Sequence, residues 1–315
     1  MKSKNLLAHY GRQFGTLLVF FVLCGVLSVM TPYFLTVSNL LNVAQQTTIN
    51  AVIAVGLTFV IISGGIDLSV GSIVAFAGVV MASALQHGWP LPLALLAGLG
   101  VGALSGLVNG LLVTFGRLPP FIATLGTMSV ARGCALLYTD GRPVSGFSEG
   151  FRAIATGQFL GVPMPVWIML AVYAVAHFLL RRTKFGRYVY AIGGNEEASL
   201  LSGVPVTLYK NAIYVVGGVL AAVGAILLTA RLNSAQPIAG INYELDAIAA
   251  TVIGGTSLMG GQGSIVGTLI GALIMGVLRN GLNLLGVSSF FQQVVIGSVI
   301  ILAVLLDTVF KKQKR

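Results

Sequence analysis

Long apolar runs separated by short polar breaks fill almost the whole chain, and that pattern predicts a bundle of membrane-spanning helices. Crossing ~30 Å of hydrocarbon takes about 20 helical residues at a rise of about 1.5 Å each. On that measure, spans fall near 15–31, 45–63, 68–86, 91–114, 121–138, 164–181, 210–230, 245–259, 263–284 and 291–309. The eighth is short, and the breaks at 64–67 and 260–262 are tight. The expected fold is an all-α polytopic membrane protein of about ten transmembrane helices. It forms a single transmembrane domain over 1–315, with a long loop at 139–163 on one side and another at 181–210 on the other.

Charge orients this arrangement. With both termini in the cytoplasm, the inside segments hold Lys2, Lys4, Arg12, Arg117, the Arg181 to Arg187 cluster, Lys210 and the KKQKR tail, whereas the outside segments hold only Arg142, Arg152 and Arg231. That asymmetry follows the positive-inside rule and requires an even number of spans. Arg132 and Arg279 fall within spans, where an arginine must pair, snorkel or line a wet cavity. Arg132 is placed for an interior role, and Arg279 equally for snorkelling outward.

Composition narrows the class. The chain is 56% hydrophobic and 8% charged, with a mean hydropathy of +0.95, against about 25% charged in soluble domains. The net charge of +10 sits beside the spans and not on one folded face, so it speaks for membrane orientation and against nucleic acid. The basic start ahead of LLVFFVLCGVLSVM lacks a small-x-small cleavage site and is expected to be an uncleaved first helix. Cys24 and Cys134 lie in apolar runs as small buried hydrophobes.

Chemistry is sparse. His9, His87 and His177 are far apart, and no carboxylate pair or H-E-x-x-H spacing offers a catalytic or metal centre. Gly98, Gly100 and Ala103 fit G-x-G-x-x-A, but no strand precedes them and no acidic ribose partner follows. GGTSLMGGQGS, residues 254 to 264, lacks the lysine of a phosphate loop. The expectation is a chain with no catalytic residue, metal or cofactor of its own.

Glycine carries more information. Gly98, Gly102, Gly106 and Gly110 recur every four residues, Gly263, Gly267 and Gly271 repeat the device, and Gly217 continues with Ala221 and Ala225, each a smooth stripe for close helix packing. GGIDLSVGS at 64–72 and GGTSLMGGQGS both begin Gly-Gly and run into Gly-Ser-Ile-Val, which suggests an internal repeat of the kind transporters use. Gly64, Gly65, Asp67, Ser69, Gly71, Gly254 and Gly255 are the expected conformational turns. Gly64 and Gly65 end one helix, and Asp67 or Ser69 accept from the amides opening the next, at the cytoplasmic edge where Asp67 need not be buried. Asp67, Glu244, Asp246 and Asp307 all lie near span ends, which disfavours a proton or sodium relay. In the 181–210 loop Asn195 is placed to cap a short helix carrying Glu196 and Glu197, ended by Gly203.

The stretches NLLNVAQQTTINAVIAVGLTFVIISGGIDLSVGSIVAFAG (39–78), ARLNSAQPIAGINYELDAIAATVIGGTSLMGGQGSIVGTLIGA (230–272) and NGLNLLGVSSFFQ (280–292) closely resemble the ribose-type sugar permeases of bacterial ATP-binding cassette importers, a family that includes arabinose, xylose and galactose permeases. The resemblance covers nearly the whole chain. It implies a multi-pass subunit of the bacterial inner membrane, usually paired with a second copy. Such a subunit takes a monosaccharide, here expected to be D-ribose, from a periplasmic binding protein when a separate ATPase subunit, binding ATP and Mg, hydrolyses it. Glu197, Ala198, Ser199, Leu200, Leu201, Ser202 and Gly203 match the family's cytoplasmic E-A-A-x-x-x-G docking signature, with Ser for the second Ala. Glu196 and Glu197 bring charge, and Leu200 and Leu201 bring apolar contact. The 139–163 and 231–244 segments, with Asp140, Arg142, Glu149 and Arg152, are the expected binding-protein surface. Gln45, Gln46, Thr47, Asn50, Thr58, Asn109, Thr124, Asn280 and Asn283 are candidates for a sugar pathway or for polar glue between helices. The rival readings are a branched-chain amino-acid or nucleoside permease of the wider superfamily and an ion-coupled sugar transporter.

Overall fold

The computed structural model describes residues 2–312, with side chains from 14 to 305. The side chains of Lys2, Lys4, His9, Arg12, Asp307 and the lysines and arginine of the tail lie outside the described residues. In chain order the helices are α1 (Lys2–Met30), α2 (Val37–Ile62), α3 (Val70–Gln86), α4 (Leu91–Thr114), α5 (Pro120–Thr139), α6 (Glu149–Thr156), α7 (Met164–Arg182), α8 (Lys184–Gly194), α9 (Glu196–Leu201), α10 (Val206–Leu232), α11 (Tyr243–Ile253), α12 (Ile265–Leu284) and α13 (Ser289–Lys312). Four two-residue strands join them: β1 (Val144–Ser145), β2 (Gln158–Phe159), β3 (Val162–Pro163) and β4 (Ser234–Ala235).

A helix covers each of the ten expected spans, but not all are full length. Among the described residues, six helices are long and apolar enough to cross a membrane: α2, α4, α5, α7, α10 and α12. Helix α11 has 11 residues, about 16 Å of rise and roughly half a bilayer. The eighth span, expected at 245–259, is thus a half-helix that ends at Gly254.

Helix α2 is the hub. From Ala51 to Ile62 every residue is buried, so its apolar character on all sides is explained by protein neighbours all round. It packs on α10, α12, α11 and α7. Helix α4 buries only one stripe, Ala94, Gly98, Gly102, Gly106, Asn109, Gly110 and Val113. Its Leu96, Leu104 and Val108 are exposed, as expected of a face turned to lipid. The glycine stripe meets α10 backbone to backbone: a Cβ at Gly102 would strike the Gly218 carbonyl, and one at Gly106 the Tyr214 carbonyl. In a bilayer, where hydrophobic burial between helices is weak, this close approach is the main source of packing energy. The seventh-span stripe is shared out: Gly218 serves α4, while Gly217 lies against Gly56 of α2. Gly267 and Gly271 lock α12 to α11, whereas Gly263 precedes α12 and packs on Ile62 and Thr256.

The two long loops are more structured than their sequences predict. Segment 139–163 contains α6, whose Phe151 and Ala155 are buried against α10 and α7. Strand β1 pairs antiparallel with β4, Val144 opposite Ala235, tying this segment to residues 231–244. Segment 181–210 folds as two helices, α8 and α9, where one was expected.

Candidate functional site

Residues 63–69 break the path from α2 to α3. The amide of Gly65 donates to Val60 O at 2.9 Å and that of Gly64 to Ile61 O at 3.0 Å. Gly64 has φ +83°, the left-handed cap that glycine adopts without steric cost. The chain then runs non-helically to Ser69, with Gly65, Asp67 and Ser69 buried and Ile66 and Leu68 partly buried. Asp67 is completely buried, which corrects the expectation that it stays at an edge. Its Oδ1 accepts from the Ser69 amide at 2.8 Å and the Ser69 hydroxyl at 2.6 Å. Asn109 Nδ2 donates to Ser69 Oγ at 2.8 Å and stands 3.5 Å from both Asp67 oxygens. Thr124 Oγ1 donates to Ile66 O at 3.2 Å. Asp67 therefore braces the break itself, and Ser69 makes no side-chain cap to α3.

A second irregular segment meets the first. After α10 the chain passes through residues 233–242, of which Ala235, Pro237 and Gly240 are buried, before starting α11. Gly71, at the start of α3, lies so close to Gly240 that a Cβ on either would strike the other's carbonyl, and the Glu244 carboxylate is beside it. Arg132 Nη1 donates to Pro237 O at 2.8 Å and Ala239 O at 2.6 Å. That gives the arginine of α5 its interior role: it satisfies the carbonyls of non-helical backbone inside the bundle. Two interrupted helices thus begin at one point in the interior, an arrangement found at transporter centres.

The two Gly-Gly echoes are not equivalent in structure. The left-handed residue is the first glycine in one, Gly64, and the second in the other, Gly255, with φ +88°. Helix α3 begins before Gly71, but α12 begins after Ser264. Helices α11 and α12 fold back on each other, while α2 and α3 diverge and pack on other partners.

A polar cavity of about 160 Å³ lies between α2, α10, α11 and α12. Gln46, Thr47 and Asn50 of α2 line it, with Arg231, Asp246 and Arg279 opposite. Arg279 Nη2 donates to Asp246 Oδ2 at 2.6 Å, and Asn50 Nδ2 donates to the same oxygen at 3.1 Å. Asp246 is buried and Arg279 partly exposed. Arg279 thus pairs within the protein and does not merely snorkel. Its partner was visible only as an acid near a span end, because nothing in the sequence says that α11 starts inside.

The remaining pathway candidates hold helices together. Gln45 donates to Ala155 O at 2.9 Å. Thr58 and Thr268 share a hydrogen bond of 2.7 Å between α2 and α12. Asn39 and Asn280 exchange two bonds of 3.1 and 2.9 Å, and Asn283 accepts from Gln292 at 2.7 Å. Asn109 and Thr124 belong to the Asp67 brace. Each such bond is worth about 0.6 kcal/mol in a membrane bundle.

At the basic end of the bundle, α8 and α9 form a platform. Thr183 Oγ1 accepts from Gly186 N to open α8, and Asn195 Oδ1 accepts from Ala198 N at 2.9 Å to open α9. Gly203 closes α9 at φ +80°, donating to Leu200 O at 3.0 Å. Glu196 pairs with Lys210 at 2.6 Å, and Ser199 turns inward with its hydroxyl on Asn195 O. Glu197 is exposed, and Leu200 and Leu201 are 63% and 88% exposed. Beneath this platform three glycine segments converge. A Cβ at Gly193 of α8 would strike the Ile62 carbonyl, which already accepts from Gly261 N at 2.8 Å. Tyr190 donates to Gly263 O at 2.7 Å. Burial pushes that hydroxyl's pKa up, with Arg181 working in the opposite direction, so it stays a donor at neutral pH. The α8–α9 platform is therefore fastened to both Gly-Gly breaks, a contact that no sequence spacing announced.

Among the described residues, no group of three or more His, Cys, Asp or Glu side chains is placed to hold a metal ion. The broken helices, the polar cavity and the lipid-like exposed faces define a multi-pass transport protein. The family model of branched-chain amino acid transport system / permease component matches residues 39–304, and the chain belongs to that family. The ribose import permease protein of Bacillus subtilis (strain 168) is 53% identical over 94% of this chain and 92% of its own. That of Escherichia coli (strain K12) is 52% identical over 95% and 94%. The D-allose transport system permease protein of the same strain is 39% identical over 97% and 94%. No solved structure matches. The chain is thus a non-catalytic permease subunit of the bacterial inner (cytoplasmic) membrane.

Proposed function

We propose that this chain forms the translocation pathway of an ATP-binding cassette importer for a monosaccharide, D-ribose. The carrying observation is the identity of 50% to 53% with ribose import permeases over nearly the full length of both chains. In this reading a periplasmic sugar-binding protein docks on the face made by 139–163 and 231–244, where Asp140, Arg142, Glu149 and Arg152 are exposed. Two copies of the chain work together, each in one permease domain of ten membrane segments with both termini cytoplasmic. A separate ATPase subunit binds ATP and Mg and docks on α9 through Glu197, Leu200 and Leu201, with Glu196, Ala198, Ser199 and Gly203 shaping that helix.

Hydrolysis then moves the α8–α9 platform. Because Gly193 is seated on Ile62 O and beside Gly261, the displacement reaches the turns at Gly64, Gly65, Gly254 and Gly255, and from there the segment Asp67, Ser69 and Gly71. Gln46, Thr47 and Asn50 belong to the sugar's route. The family description gives one competing substrate, a branched-chain amino acid. Uptake of labelled ribose into vesicles holding the permease, the ATPase and the binding protein tests both readings. Ribose uptake is expected to require ATP and to vanish with a hydrolysis-dead ATPase; uptake of leucine and not ribose would overturn the sugar reading.

A further inference from the structure

The Asp246–Arg279 pair does not use up the hydrogen-bonding capacity of the cavity it lines. Both of its neighbours bind one oxygen, Asp246 Oδ2, and no hydrogen bond among the described residues reaches Oδ1. Asn50 Oδ1 is buried without a partner, an unfavourable state for an amide oxygen. Arg279 has five N–H groups, one of which is engaged here. A free acceptor on Asp246 and free donors on Arg279 thus face a single cavity beside Asn50, on side chains from three different helices.

The electrical balance selects the ligand. Asp246 and Arg279 cancel each other's charge, and Arg231, the third charged group on the wall, is exposed to solvent, so an ionic solute that displaced the pair's contact would leave the buried Asp246 without its partner. A neutral polyol would not, because each of its hydroxyls both donates and accepts. Two adjacent ring hydroxyls match a carboxylate oxygen and a guanidinium side by side, through charge-assisted bonds that are about twice as strong as neutral ones. Tyr243 on the same wall adds a flat apolar face for a ring's C–H groups, the mix of few polar groups and an aromatic that small-ligand sites use.

The geometry points to a monosaccharide subsite in this cavity, in which Asp246 Oδ1 accepts from a ring hydroxyl, Arg279 donates to the ring hydroxyls, Asn50 holds the Asp246 carboxylate through its Nδ2 bond, and Tyr243 covers the C–H face. It rests on the sugar-permease reading above and names where, inside that permease, the sugar is held in transit. Helix α11, only 11 residues long, carries both Tyr243 and Asp246. A site built on it is broken and remade whenever that half-helix shifts.

The test uses the complete importer in vesicles, comparing ribose uptake for Asn50→Ala, Arg279→Gln, the charge-exchanged Asp246→Arg/Arg279→Asp pair, and Ala272→Leu, which adds bulk to the cavity wall without removing a polar group. Each polar variant is expected to lower uptake by about 10-fold or more, the loss of one hydrogen bond to a charged group, and Ala272→Leu is expected to do the same by filling the space the ring needs. The exchanged pair separates binding from bracing, since it rebuilds an ion pair with donor and acceptor on the wrong helices. Recovery of uptake in that double variant would make the pair a brace and overturn the subsite. So would uptake within about twofold of wild type in Asn50→Ala or Ala272→Leu, the two changes that leave the ion pair in place. A wild-type importer that carries no ribose or other monosaccharide overturns the substrate reading first, and that arm keeps the two failures apart.

Discussion

Among the described residues Asp67 has no cation beside it, and its hydrogen-bond donors come from Ser69 and Asn109. Its first task is to hold non-helical backbone inside the protein, where unpaired polar groups are costly. Asp67→Ala leaves the Ser69 amide and hydroxyl without their acceptor and is expected to destabilise the protein by about 2 kcal/mol. Asp67→Asn keeps an oxygen at Oδ1 and is expected to cost less than about 1 kcal/mol. Thermal unfolding of the detergent-solubilised protein measures both, and equal losses in the two variants would show that the charge, not the acceptor, does the bracing. The residue types at this site were legible in the sequence, but their depth was not. A capping Asp at an edge and a bracing Asp in the interior read alike in GGIDLSVGS, because depth comes from the Gly71–Gly240 contact, set by residues far away in the chain.

Helix α9 is the clearest case of an element specified locally. Asn195 caps it, two glutamates occupy its first turn, and Gly203 ends it in the left-handed conformation, so its sequence alone places it correctly. Its exposed leucines stabilise nothing within the chain, and changing them is expected to leave the fold intact. Leu201→Asp and Glu197→Lys are accordingly expected to abolish ATP-driven uptake and co-purification of the ATPase, while the permease still inserts at normal levels. Gly203→Pro acts differently, since φ +80° is closed to proline and the Gly203 amide bonds Leu200 O; it is expected to lose docking by deforming the helix end. Pull-down of the ATPase on tagged permease reads all three, and normal capture by Glu197→Lys and Leu201→Asp together would remove α9 from the interface. Elements that depend on packing were harder to foresee. Helix α6 has 8 residues and is held by Phe151 and Ala155 under α10, α8 contains four glycines or aromatics in its last seven residues and reads as loop, and α11 stops at half length where Gly254 packs on Gly267 and Gly255 turns left-handed.

At the scale of the whole molecule, the apolar pattern located every long helix, since each must be about as long as the bilayer is thick, but it missed polar helical starts such as that of α2, which begins at Val37 and not at 45. What it could not give was which segments turn back: residues 63–71 and 233–242 meet through the close approach of Gly71 and Gly240, and only their glycines hint at that. Those two re-entrant segments, with α11 between 243 and 253, also make the direction of each helix a matter for direct measurement. Counting α11 as a crossing, with its re-entrant lead, gives an even number and puts both termini on the side of α8 and α9, where Arg181, Arg182, Lys184, Arg187 and Lys210 gather. Counting it as a dead end puts the C-terminus opposite, with the KKQKR tail on the wrong side of the charge rule. A fluorescent protein that matures only in the cytoplasm is expected to shine when fused after Arg315. A phosphatase active only in the periplasm is expected to work when inserted after Arg142 and to fail after Glu197. Phosphatase activity at the C-terminal fusion would reverse α12 and α13, and with them the direction in which the Arg279–Asp246 cavity opens.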